Sequence, residues 1–93
     1  MAGRRLASSV KELRLLFCQS SGASEGVRSF VLGRYKELKG ANPETPILLR
    51  EAAGTRARLV ARLEHGREES VNLDHAGEDQ VSRAIHAYCS NTR

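Results

Sequence analysis

The apolar positions fall in short runs whose spacing changes along the chain. Leu13-Arg-Leu-Leu-Phe-Cys18 is compact and has the length of a buried strand. Gln19-Ser-Ser-Gly-Ala23 has the composition of a loop, after which Ser24 is placed to cap a helix with Glu25 in its first turn. Val27, Phe30, Val31, Tyr35 and Leu38 then recur at helical spacing. Lys36 and Lys39 suit the last turn, Gly40 the C-cap, and Asn42-Pro43 stops the helix. Gly33 lies inside it, where glycine costs about 1 kcal/mol against alanine unless close packing requires it. Pro46 introduces a second short strand, Ile47-Leu-Leu49, ending at Arg50-Glu51. Leu59, Ala61 and Leu63 alternate with Val60, Arg62 and Glu64, and Val71 and Leu73 repeat that two-residue period after the turn at His65-Gly-Arg67. These two segments predict an antiparallel hairpin. Val81, Ala84, Ile85, Tyr88 and Cys89 form one face of a last helix, with Glu78 and Asp79 at its positive end.

The predicted order is β-α-β-β-β-α. Two strands flanking a helix pair in parallel through a right-handed crossover. The hairpin extends that pair into a mixed four-stranded sheet covered by two helices, the α/β connectivity of a minimal thioredoxin-like domain. The expected core is Leu13, Leu15, Phe17, Val27, Phe30, Val31, Ile47, Leu49, Leu59, Leu63, Val71, Leu73, Val81 and Ile85. Expected boundaries are a basic tail over 1–10, one domain over 11–90 and a short tail over 91–93.

Composition limits the size of this core. The 93 residues include only two Phe, two Tyr and no Trp, so the interior is aliphatic and room for a second core is lacking. No apolar run approaches the ~20 residues of a membrane span. Residues 1–62 carry 12 Lys/Arg against 5 Asp/Glu, a net +7, while residues 63–93 carry 3 against 6, a net −3. A basic segment suits RNA, a membrane surface or an acidic protein, or is simply a solvated surface. The absence of interleaved aromatics argues against an RNA-binding sheet. The first ten residues are basic, small and free of acid, as in a mitochondrial address, and lack the apolar centre of a secretory signal.

Candidate chemistry is sparse. Cys18 and Cys89 form no metal-ligand spacing, and His65, His75 and His86 sit among charged or turn residues, so no metal or cofactor is expected. Gly22 and Gly26 lack the spacing of a phosphate loop, and Ser21 and Ser24 have no evident His/Asp partners. Glu68 and Glu69 point to opposite faces of a strand. Cys18-Gln-Ser-Ser21 resembles a monothiol site, but a reactive thiolate needs a helix N-terminus or a cation. Ser24 begins the helix six positions further on, which favours an inert, buried cysteine.

Lys11-Glu-Leu-Arg-Leu-Leu-Phe-Cys18-Gln-Ser20, Gly26-Val-Arg-Ser-Phe30, Arg34-Tyr-Lys-Glu-Leu38, Ala41-Asn-Pro43 and Pro46-Ile-Leu-Leu-Arg-Glu51 together resemble one family. It is the thioredoxin-like accessory subunit of mitochondrial respiratory complex I, NADH:ubiquinone oxidoreductase 1 alpha subcomplex subunit 2. The resemblance continues through Ala61-Arg62, Val71-Asn-Leu73 and Asp79 to Ala84. It implies a non-catalytic subunit without cofactor, peripheral on the matrix side of the inner membrane, supporting assembly or stability among core and accessory subunits of the matrix arm. Relatives often carry a second cysteine after the Arg-Glu pair, where this chain has Ala52, and a proline where it has Ala57. The usual partner for Cys18 is thus missing, and both cysteines are expected to stay reduced, with Cys18 the possible redox-sensitive position. Arg50, Glu51 and Arg62 are candidate interface residues, placed to meet an acidic groove on a larger subunit, or else solvating a strand end. The alternatives are an RNA-contacting mitochondrial ribosomal protein of the same domain type and, on Cys18 alone, a monothiol oxidoreductase.

Overall fold

The structure, a computed structural model, describes residues 5–89. Strand β1 runs over Val10–Phe17, helix α1 over Glu25–Ala41, β2 over Ile47–Glu51, β3 over Arg58–Leu63, β4 over Glu68–Asn72 and helix α2 over Glu78–His86. Single 3-10 turns at Gly22–Ser24 and Glu64–Gly66 complete the order. The strands lie β2-β1-β3-β4. β1 pairs parallel with β2, Leu13 beside Ile47 and Phe17 beside Glu51. On its other side β1 pairs antiparallel with β3, Leu15 beside Leu59, and β3 with β4, Leu59 beside Val71. The element order, the parallel pair and the hairpin match the sequence reading.

Period-two alternation separates the faces. Leu13, Leu15, Phe17, Ile47, Leu59, Ala61 and Leu63 are buried on one face with Val27, Phe30 and Leu38 of α1 and Val81 and Ile85 of α2. Both helices pack there, and Arg34 of α1 ties them by ion pairs to Glu78 (3.1 Å) and Asp79 (3.8 Å). Three expected core residues, Val31, Leu49 and Val71, are only partly buried. Leu49 and Val71 lie on the edge strands β2 and β4.

Several local expectations change. Residues 6–10, assigned to a tail, are part of the fold: β1 starts at Val10, Leu6 is buried and bridges Cys89, and Ala7 N–H donates to Tyr88 O at 2.9 Å. Met1 to Arg4 and residues 90–93 lie outside the described residues, and so does the short tail expected over 91–93. The C-cap of α1 is Asn42, not Gly40. The buried Asn42 side chain donates to Leu38 O and accepts from Leu6 N–H at 2.7 Å, joining the helix end to the chain before β1. Ser24 makes no side-chain cap; its hydroxyl accepts the backbone N–H of Cys18 at 3.0 Å.

Two close fits fix how α2 meets α1. A Cβ on Gly26 would lie 1.9 Å from Ala76 O, so the loop before α2 can rest against α1 only because residue 26 lacks one. His75 N–H donates to Ala23 O at 2.8 Å across the same contact. Gln80 Oε1 accepts from Gly77 N–H at 2.8 Å and opens α2. At the far end, Tyr88 donates its phenol to Glu69 at 2.8 Å, and its pKa is pushed up to about 12, first by burial and then by that carboxylate.

Candidate functional site

The β2–β3 connection brings the two ends of the sequence pattern together. Since β1 lies between β2 and β3, residues 52–57 must pass over the end of β1. A turn at 52–55, closed by Thr55 N–H to Ala52 O (3.2 Å), carries Gly54 at φ +76°, a left-handed value that side chains resist. That turn places Gly54 N–H 3.4 Å from Cys18 Sγ. The β1–α1 loop closes the other side, with Ser20 Oγ 3.8 Å from the sulfur. Arg28 of α1 holds this loop by donating to Cys18 O (2.9 Å) and Ser21 O (2.7 Å).

Cys18 is 5% exposed, as expected, but its surroundings are polar rather than inert. The backbone N–H groups of Ser20, Gly54 and Ser21, in that order of effect, lower the thiol to about 7 from 9.0, outweighing the opposing influence of burial. A ring of amides therefore does what the distant α1 N-terminus was judged unable to do. The sequence offered one clue, the glycine of the Ala52–Thr55 turn, but not that this turn lies above Cys18.

The interface candidates separate. Arg50 and Arg62 project from the sheet face opposite the helices, whereas Glu51 alternates to the other side and accepts from Gln19 Nε2 at 3.1 Å. Arg62 lies 3.9 Å from Glu12, which Arg14 also grips, and stands opposite Glu68 in the ladder. Glu68 and Glu69 do take opposite faces, Glu69 pairing with Ala61 on the helix side. The helix-free face holds two arginines that sequence reading missed, Arg14 and Arg58. Their two-residue spacing from Leu16 and Val60 was visible; that they share a face with Arg50 needed the strand order.

Residues 27–76 match the family model described as the mitochondrial ribosomal protein L51 / S25 / CI-B8 domain. The chain is 48% identical over 80 residues to the NADH dehydrogenase [ubiquinone] 1 alpha subcomplex subunit 2 of Arabidopsis thaliana, covering 86% of this chain and 82% of that one. It is 39% identical over 92 residues to the NADH-ubiquinone oxidoreductase 10.5 kDa subunit of Neurospora crassa, with 98% of each chain covered. The chain belongs to the alpha subcomplex subunit 2 family. The mouse subunit of that name is 43% identical over 76 residues, 82% of this chain and 77% of its own. Within the family alignment the matched block runs from α1 to the loop before α2, and so includes the Gly54 turn and the hairpin. Among the described residues no three His, Cys, Asp or Glu side chains gather as a metal set, and no helix is long and apolar enough to cross a membrane.

Proposed function

We propose that this protein is a non-catalytic accessory subunit of mitochondrial complex I, peripheral on the matrix arm, and that it supports assembly or stability of that arm. The observation that carries this reading is the alignment with the Neurospora crassa subunit, which runs nearly end to end in both chains. Such coverage aligns the chain with nearly all of that subunit. The strand order β2-β1-β3-β4, with a parallel central pair and an antiparallel hairpin, supports a thioredoxin-like fold reduced to four strands and two helices. In this reading the protein contributes surface rather than chemistry. Cys18 is enclosed, and position 52 beside it is alanine, so no second thiol stands ready to carry a dithiol cycle. Arg50 and Arg62 contribute to contact with neighbouring subunits, and Glu51, on the other side of the sheet, lies outside that surface.

Deleting the protein and separating mitochondrial complexes on native gels tests the reading. Assembled complex I should fall while mitochondrial translation continues, and the wild-type chain should restore it. Normal complex I with impaired mitochondrial translation would instead select the ribosomal branch of the domain family.

A further inference from the structure

Eleven positions paired in the ladders face away from the helices: Glu12, Arg14 and Leu16 of β1, Leu48 and Arg50 of β2, Arg58, Val60 and Arg62 of β3, and Glu68, Ser70 and Asn72 of β4. The register arranges their centre as a checkerboard. One row reads Leu48, Arg14, Val60, Ser70, and the next reads Arg50, Leu16, Arg58, Asn72. Leu48 is 45% exposed, and Leu16 and Val60 are half-buried. Apolar area thus stays open to water at the middle of the face.

Charge on this face is uneven. Glu12 is shared by Arg14 and Arg62, and Glu68 lies opposite Arg62. Arg50 and Arg58 have no ion pair among the described residues, and they flank Leu16 from the two neighbouring strands. Strands lie about 4.8 Å apart, so one carboxylate seated over Leu16 can be reached by guanidinium groups from both sides. The four cations at paired positions of the face are arginines, while Lys11, at the bulge beside Glu12, donates to Ser8 O at 3.1 Å. Arginine is enriched at protein interfaces, where its planar fork binds carboxylates, and lysine is depleted.

We propose that this helix-free sheet face is the docking surface of the protein, and that its occupant is an acidic protein surface whose carboxylates meet Arg50 and Arg58 around an apolar contact on Leu16, Leu48 and Val60. The inference rests on the subunit reading above, which supplies the occupant as another subunit of the complex. A second copy of the chain is disfavoured, because apposing two such faces brings arginine rows together. RNA is disfavoured as well: the face carries no aromatic side chain on which bases stack, its apolar members being aliphatic.

The test places a photo-crosslinking residue at Leu48 in the full chain expressed in mitochondria, with Leu32 as control, since Leu32 is 90% exposed on the outer side of α1. Crosslinking from position 48 to an Asp/Glu-rich segment of a complex I subunit, and not from position 32, is the expected result. Crosslinks from 48 to RNA, to lipid or to a second copy, or crosslinks to a subunit from 32 alone, overturn the proposal. In parallel, Arg50→Glu with Arg58→Glu should lower the fraction of the protein bound in complex I at least tenfold, while its isolated melting temperature and that of Lys36→Glu stay close to wild type. Unchanged incorporation of the double variant rejects this face and leaves the subunit reading intact. Failure of the wild-type chain to co-migrate with complex I rejects the subunit reading itself.

Discussion

Gly54 donates its backbone N–H to the sulfur of Cys18 across 36 positions of sequence. The contact follows from topology: β3 lies on the far side of β1 from β2, so the connecting turn has to cross the end of β1. Cys18 is the first residue after that strand and lies beneath the turn. The result is a buried thiol solvated by amides instead of water.

The Cys18 thiol should therefore titrate near 7. The rate of its reaction with a small alkylating reagent under mild denaturant-free conditions should follow a midpoint near 7, against the 9.0 of an ordinary thiol. Because the folded state holds the proton less tightly, the unfolded chain binds more protons between those values, and stability rises with pH across that window. The gain is lost as pH falls through 7. Urea unfolding midpoints should show this slope in the wild type and lose it in Cys18→Ala; a titration midpoint near 9 would show that the amide ring is not formed.

Restoring the second cysteine should close a bond. Phe17 pairs with Glu51, and Ala52 N–H donates to Phe17 O at 3.1 Å, so Cys18 and position 52 are the next neighbours in the parallel register. Adjacent strands are about 4.8 Å apart, within the span a disulfide bridges. Mass spectrometry of mildly oxidised Ala52→Cys should find the 18–52 bond. The native pair should stay reduced, since Cys89 bridges Leu6, ahead of β1, while Cys18 follows its other end. An 18–89 bond in the native protein would contradict the register.

Two glycines in α1 should respond oppositely to alanine. A Cβ on Gly33 would find only Glu78 Oε2 at 3.7 Å, an ordinary contact, so Gly33→Ala should stabilise by about 0.5–1 kcal/mol. Gly26→Ala would collide with the backbone of Ala76 and should destabilise, with α2 displaced. Thermal melts of the two variants check both signs; equal effects would mean that the loop before α2 does not rest on Gly26.

Phe30 of α1 is fully buried in the core and is the largest such side chain among the described residues. Phe30→Ala should cost about 3–5 kcal/mol by cavity formation, measured by denaturant unfolding. A loss under about 1 kcal/mol would place Phe30 outside the core.

The chain's alternations told most of this fold in advance. Leu59, Ala61 and Leu63 marked the buried face of β3 because a strand repeats every two residues, and Val27, Phe30 and Leu38 marked α1 by its helical period. What stayed hidden depended on contacts distant in sequence. Nothing around Asn42 signalled that its side chain holds Leu6, which lies 36 positions away and turns a supposed tail into core. Ser24 had the residue type of a cap, yet Cys18 N–H claimed its hydroxyl. Arg50 and Arg62 were legible as exposed strand residues, but their partnership with Arg58, and the exclusion of Glu51, required the strand order.

The most direct test of the account follows the chain without substitutions, tagged at one end, through native separation of solubilised mitochondria. The protein should migrate with the NADH dehydrogenase activity of intact complex I and leave that position when the matrix arm is dissociated. Migration with ribosomes, or only as the free 10.2 kDa chain, would contradict its assignment as a subunit.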